Sequence, residues 1–312
     1  LKLAVFIHTN EKQYVGALVS AHSMRRFSKR GDALDIRILH TKDFPWLWAR
    51  EGQKYKRGRE WREWRMDDLQ SFTPLRFAPP EAMGYEGRAV IVDPDIFAVG
   101  DIGELLTREM GGKAILCRKR PGKEEVPGHY ATSCMLLDCA KLRHWQVEKT
   151  FAELFTGERD YAKWIELEYE DPATIGLFEP EWNDFDHLDE KTKLIHNTKR
   201  HTQPWKTGLP IDFVEADKFK LWSPKGWVQK VQRSLFGHYR YSGTYKPHPD
   251  RRQETLFFAL LKDAMRAGVL DEALLREHMA KNHVRHDALE VLARTPDLDR
   301  LDFLDRSLKA AA

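Results

Sequence analysis

Cysteine is scarce in this chain. Three residues in 312, Cys117, Cys134 and Cys139, fit no zinc-ligand spacing and are too few for a disulfide framework. They suggest a reducing compartment. No apolar run reaches the roughly 20 residues of a membrane-spanning helix, and no signal peptide is recognisable. A soluble, cytoplasmic protein is the expectation. Internal repeats and low-complexity segments are missing too. Neither sign of charge dominates, with 51 Lys and Arg against 48 Asp and Glu and a net charge of +3. That balance is too mild to mark a nucleic-acid binder, and no nucleic-acid partner is expected. What remains is 42% hydrophobic and 32% charged, ample for one large domain or two small ones.

The pattern begins with strand, helix, strand. Leu3–His8 reads as a strand, Thr9-Asn10-Glu11 as a turn that caps the next element, Gly16–Arg25 as a helix and Leu34–His40 as a second strand. That is a βαβ unit, which requires a parallel sheet. Thr9 and Asn10 then lie at the carboxyl edge, where open α/β sheets bind ligands. Ala89–Val92 is an apolar, β-branched run ending in Asp93-Pro94-Asp95. If strand alternation continues, the two carboxylates face the same way and suit Mg²⁺ or Mn²⁺. The same tripeptide is also good turn chemistry, and the residues alone leave both readings open. Further strands are expected at Ala114–Cys117, Ala131–Asp138 and Leu194–His196. Helices are expected from Ser71–Phe77, over Lys141–Phe155, Gln253–Ala267 and Asp271–Ala280, and in the tail to Leu308. Arg118–Gly128 reads as a polar, mobile loop.

Two stretches interleave aromatic and basic residues. Between 46 and 65, Trp46, Trp48, Trp61 and Trp64 sit among seven Lys or Arg. This is either a charged helix whose Trp side chains pack on the sheet or a loop for an acidic or sugar acceptor. Lys218–Pro249 holds seven Lys or Arg and no acidic residue, with Trp222, Trp227, Phe236, Tyr239, Tyr241 and Tyr245 among them. It reads as a helical subdomain over the sheet, or as a seat for an anionic acceptor or membrane headgroups.

Several segments, in order, resemble one family: the retaining, metal-dependent glycosyltransferases of family 8, which include glycogenin and the lipopolysaccharide galactosyl- and glucosyltransferases. These segments are Thr9-Asn10 with Gly16-Ala-Leu-Val19, Asp93-Pro94-Asp95, Met135-Leu-Leu-Asp138, Asp171 with Trp182-Asn183, and His196 with Pro204-Trp205-Lys206. The resemblance covers roughly residues 1–210. Gln13 stands where the family often has an aromatic residue, Ala131 and Ser133 where an Asn and a Gly are usual, and Gln203 in place of a lysine.

The resemblance implies an α/β fold of the GT-A, Rossmann-like type: a mixed, mainly parallel sheet flanked by helices, with a helical C-terminal addition. Residues 1–210 would form the nucleotide-sugar-binding catalytic domain, with 211–312 an extension packed on it. It implies Mn²⁺ (or Mg²⁺) held by Asp93, Asp95 and His196. It also implies a UDP-sugar donor met by Thr9, Asn10, Gln13, Arg76, Asp93, Lys199 and Lys206, with Arg200 a further candidate for the diphosphate. Asp171 is the choice for the carboxylate near the reacting carbon, with Glu168 and Glu170 as acidic neighbours. The acceptor would be a glycan, a lipid-linked glycan or another hydroxyl, with peripheral contact at the inner face of a membrane through the basic aromatic segments. Two other classes compete: a metal-dependent nucleotidyltransferase, and a non-enzymatic membrane- or RNA-surface binder. His196 read alone, without the resemblance, is more often a packed, hydrogen-bonded histidine than a ligand.

Overall fold

The computed structural model describes residues 2–122, 128–213 and 243–304. Strand β1 (Leu3–Thr9) opens with a continuous apolar run, Leu3–Ile7, because both faces of its sheet are covered. It lies between β2 (Ile36–His40) and β5 (Arg88–Val92), parallel to both. Next come β8 (His129–Asp138), antiparallel to β5, then β7 (Ile115–Arg120) and β9 (Ile175–Leu177), giving the order β2-β1-β5-β8-β7-β9. Only β8 runs against the others, so the sheet is mixed and mainly parallel. Side-chain alternation splits β1 between two cores. Val5 and Ile7 face helix α1 (Tyr14–Arg26) and the C-terminal helices. Ala4 and Phe6 face Leu75, Phe77, Trp145 and the Val147–Thr156 helix.

A second, smaller sheet brings the distant histidine home. Strand β6 (Ile96–Ala98) follows the Asp93-Pro94-Asp95 turn and pairs antiparallel with β11 (Leu194–His196), which pairs with β10 (Asp184–Phe185). His196 is the register partner of Ile96, the residue after Asp95. Helix α1 clamps β6 through two serines: Ser20 Oγ donates to Ile96 O at 2.6 Å, and Ser23 Oγ accepts from Ala98 N at 2.9 Å.

Gly16 sets the distance between α1 and the turn. A Cβ there would meet Pro94 O at 2.9 Å and Trp205 Cζ2 at 3.4 Å. The first contact is backbone and has little freedom to give. Gly16→Ala is expected to cost about 1–3 kcal/mol in urea unfolding and, by displacing Pro94, to weaken whatever affinity for a divalent cation the neighbouring carboxylates have, as the resemblance implies. Unchanged cation affinity in this variant would show that the turn does not depend on α1.

Beyond residue 250 the chain rejoins the same core. The Arg251–Arg266 helix, capped by the Asp250 side chain on Arg252 N, stacks Phe257 on Trp205 with centroids 4.7 Å apart. His22 Nε2 meets Asp263 Oδ2 at 2.8 Å.

Several expectations are corrected. Residues 46–65 form a short helix (Pro45–Trp48) and a hairpin, β3 (Lys54–Arg57) with β4 (Glu60–Glu63), rather than one helix or a loop. Trp64 is buried, while Trp48 and Trp61 are exposed. Ser71–Phe77 yields a 3₁₀ turn (Thr73–Phe77), and helix within Lys141–Phe155 begins only at Val147. β7 runs on to Arg120, taking Arg118–Arg120 out of the expected loop. The tail is helical over Ala288–Arg294, then forms 3₁₀ turns to Leu304. Most of Lys218–Pro249, including Trp222, Trp227, Phe236, Tyr239 and Tyr241, lies outside the described residues. Among those described, no helix is long and apolar enough to cross a membrane.

Candidate metal and nucleotide site

At the carboxyl edge of β1 and β5, one ligand atom each from Asp93, Asp95 and His196 lies within 4.8 Å of the others. The cause is not strand alternation. β5 ends at Val92, and Asp93-Pro94-Asp95 is the turn into β6. The turn reading and the metal reading therefore describe the same residues.

Each carboxylate is held differently. Asp93 takes a bidentate pair from Arg76, Nε to Oδ1 at 2.9 Å and Nη2 to Oδ2 at 2.5 Å. His8 Nε2 lies 3.0 Å from Asp93 Oδ1. Burial alone would raise the Asp93 pKa; the Arg76 charge, then His8, overcome it and hold the carboxyl well below the usual range. Burial, aided by Arg76 and opposed by Asp93, lowers the pKa of His8. Asp95 is less encumbered. Its Oδ2 accepts from Gln203 Nε2 at 3.1 Å, while its buried Oδ1 has no hydrogen-bond partner and sits 3.3 Å from His196 Nε2.

The partners of His196 decide which nitrogen faces the carboxylates. Asn183 Nδ2 donates to Ser133 Oγ at 3.0 Å, which orients Asn183 Oδ1 toward His196 Nδ1 at 2.8 Å. In the neutral ring Nδ1 carries the proton, and the Nε2 lone pair points at Asp95 Oδ1. A lone pair aimed at an unpartnered carboxylate oxygen is an arrangement a cation satisfies. Two carboxylates with one imidazole is a donor set for Mn²⁺ or Mg²⁺, and an outer amide fixing the imidazole is the usual support for a ligating histidine. The residues present fit a divalent metal.

Thr9, Asn10 and Gln13 lie beside the cluster and are buried. Asn10 Nδ2 donates to Asp68 O, Leu69 O and Ser71 Oγ, so its amide fastens the 68–71 segment to the carboxyl edge. Gln13 Nε2 donates to Gln203 Oε1 at 3.0 Å, extending the hydrogen-bond chain from Asp95.

No protein-family model matches the chain, and no curated protein matches it. Solved structures similar to it include the glycosyltransferase GlyE of Streptococcus pneumoniae TIGR4, at 14% identity and a TM-score of 0.46 over 65% of this chain and 57% of that one. The bifunctional glycosyltransferase WbbM is similar at 15% identity and a TM-score of 0.44, over 66% and 47%. The galactosyltransferase LgtC, solved with donor and acceptor sugar analogs, is similar at 12% identity and a TM-score of 0.46, over 65% and 89%. This chain spans about half the length of the first two.

Other residues expected at the site are placed elsewhere or otherwise engaged. Asp171 is exposed and caps the Pro172–Thr174 turn, its Oδ1 accepting from Ala173 N. That turn leads into β9, whose Ile175 pairs with Ile115 at the amino end of β7. The sheet edge there is opposite to Asp93, so the structure does not bring Asp171 to the cluster. Glu170 binds His144 and Trp145 Nε1, each at 2.8 Å, and Glu168 is exposed. Lys206 is buried against Asp212 at 2.6 Å; burial lowers its pKa and the Asp212 charge opposes that. It is thereby spent on a local pair. Arg76 is at the site but bound to Asp93. Lys199 is exposed three residues after His196, with its backbone N on Asp186 Oδ1 at 3.2 Å.

Sequence reasoning missed His8, which carries no motif signal, and the role of Asn183 and Ser133 behind His196. It also missed the basic pair Arg118 and Arg120, stacked over Phe185 at 4.1 and 3.9 Å. Burial lowers the pKa of Arg120, and Arg118 adds to that, while Asp186 and Asp93 oppose it. A continuation of apolar Ile115–Cys117 into alternating Arg-Lys-Arg was the available sign. The three cysteines are buried, and burial pushes Cys117 and Cys139 up to about 12, so neither is a nucleophile near neutral pH.

Proposed function

We propose that this protein is a glycosyltransferase that moves a sugar from a nucleoside-diphosphate sugar to a hydroxyl acceptor, using a divalent cation held by Asp93, Asp95 and His196. The observation that carries the reading is the pairing of an unpartnered Asp95 Oδ1 with a His196 ring turned by Asn183 to offer Nε2. When bound, the cation supplies positive charge to a departing diphosphate, whose negative charge grows in the transition state. Arg76 keeps Asp93 ionised and fixed. Gln203 orients Asp95, and Asn183 with Ser133 orients His196. Arg118, Arg120 and Lys199 add positive potential along the same edge.

The resemblance to family 8 makes UDP the nucleotide, Mn²⁺ the cation and retention the stereochemical course of this proposal. A glycan or lipid-linked acceptor, and a cytoplasmic location with peripheral membrane contact, complete it. The test is a panel of nucleotide sugars incubated with Mn²⁺, with and without chelator, followed by NMR at the anomeric carbon. Slow, metal-dependent hydrolysis of a UDP-sugar, with the released or transferred sugar first appearing in the donor's anomeric configuration, is the expected result. Pyrophosphate release from a nucleoside triphosphate, with nucleotide sugars untouched, would establish nucleotidyl transfer instead.

A further inference from the structure

A second group of metal-ligating side chains gathers where the first turn after β1 meets the C-terminal helices. Glu11 opens the 3₁₀ turn Glu11–Gln13. His278 lies near the end of the Glu272–Ala280 helix, and the chain then reverses through Asn282 at φ 59°, bringing His283 back onto it. The two rings share an Nδ1 to Nδ1 hydrogen bond of 3.2 Å, where a cation would replace the shared proton, and His278 turns its Nε2 toward Glu11 Oε1 at 3.9 Å. Two nitrogens bound to one ion at about 2.0–2.1 Å with tetrahedral angles stand about 3.3 Å apart. One ligand atom each from Glu11, His278 and His283 lies within 4.8 Å of the others.

We propose that Glu11, His278 and His283 form a second metal site, for zinc or a similar borderline divalent cation, with His40 orienting Glu11. His40 sits at the end of β2, 5% exposed. Its Nδ1 accepts from Lys42 N at 3.0 Å, so the neutral ring carries its proton on Nε2. That nitrogen is buried, has no hydrogen-bond partner and faces Glu11 Oε2 at 3.4 Å. It is a donor waiting for a carboxylate to be drawn a few tenths of an ångström closer, the outer support a metal-bound carboxylate needs. Lys281 now pairs with Glu11 at 3.0 Å but already holds Glu277 at 2.6 Å, so a cation at Glu11 leaves the lysine with a partner. Two imidazoles and a carboxylate favour zinc over Mg²⁺. The site stands whether or not the protein transfers sugar. A cation there would tie the C-terminal helices to the turn that precedes Gln13.

Zinc titration of chelator-stripped, full-length protein tests this, followed by calorimetry and by Co²⁺ absorption. An Asp95→Asn, His187→Gln background removes the two competing groups, Asp93 with Asp95 and His196, and Asp184 with His187 and Asp189. That protein should bind one zinc, and Co²⁺ should show the visible bands of a tetrahedral nitrogen–oxygen site. Glu11→Gln, at a half-exposed position that tolerates it, and His283→Ala should each abolish both signals, and His40→Gln should weaken zinc about 10-fold. No zinc bound by the Asp95→Asn, His187→Gln protein would overturn the proposal. So would binding that survives both Glu11→Gln and His283→Ala.

Discussion

Asp95→Asn is expected to leave the protein folded and to remove metal-dependent binding of a nucleoside diphosphate. The substitution is isosteric and keeps an oxygen for Gln203 Nε2. It replaces an ionic ligand with a neutral amide opposite His196 Nε2. If the proposed transfer is correct, turnover should fall by about 100- to 1000-fold, the size seen when one preorganised charge is removed from an active site. The midpoint of thermal unfolding without metal should move little, because the turn holding Asp95 is fixed by backbone bonds such as Asn197 N to Asp95 O at 3.1 Å. Titration of Mn²⁺ and UDP into both proteins checks it. Equal metal affinity would remove Asp95 from the site.

Asp93 should behave in the opposite way. It forms a buried, bidentate pair with Arg76, and deleting one partner strands the other. Arg76→Met is expected to destabilise the protein by about 3–5 kcal/mol. Combining it with Asp93→Leu should restore most of that stability without restoring metal binding. The lowered pKa of Asp93 sets the sign of the pH dependence. Its folded value lies below the unfolded one, so the pair's contribution is complete above about pH 4 and drains away as the pH falls toward the folded value. Urea unfolding of wild type and double variant, compared at about pH 6 and about pH 3, should show the wild type losing more stability on acidification. Parallel losses would mean that the pair contributes no pH-dependent stability.

The sheet was legible wherever burial on both faces leaves a continuous apolar run with β-branched residues, as in Ala4–Ile7 and Ala89–Val92. It was illegible where the strand is short or charged. β6 has only three residues. The β3–β4 hairpin hides its period of two under charge, though Gly58 at φ 61° marks its turn. The candidate cluster was readable in residue type, since ligand atoms of Asp93, Asp95 and His196 lie within 4.8 Å of one another. The geometry that joins them is a turn and a second sheet, which propensity does not describe. Asp171 shows the converse failure. An acidic residue directly before Pro172 is the signature of a capped helical turn, and the structure uses it that way.

The chain of hydrogen bonds through the cluster has a consequence for folding. Its links span 190 residues between Gln13 and Gln203, 108 between Gln203 and Asp95, and 50 between Asn183 and Ser133. Contacts so distant in sequence carry a large loop-closure cost and form late. A cation that needs all of them at once can have little hold on the folding transition state, so it acts on the escape from the native state. If the proposed cation binds there, it lengthens the life of the folded protein without hastening its formation.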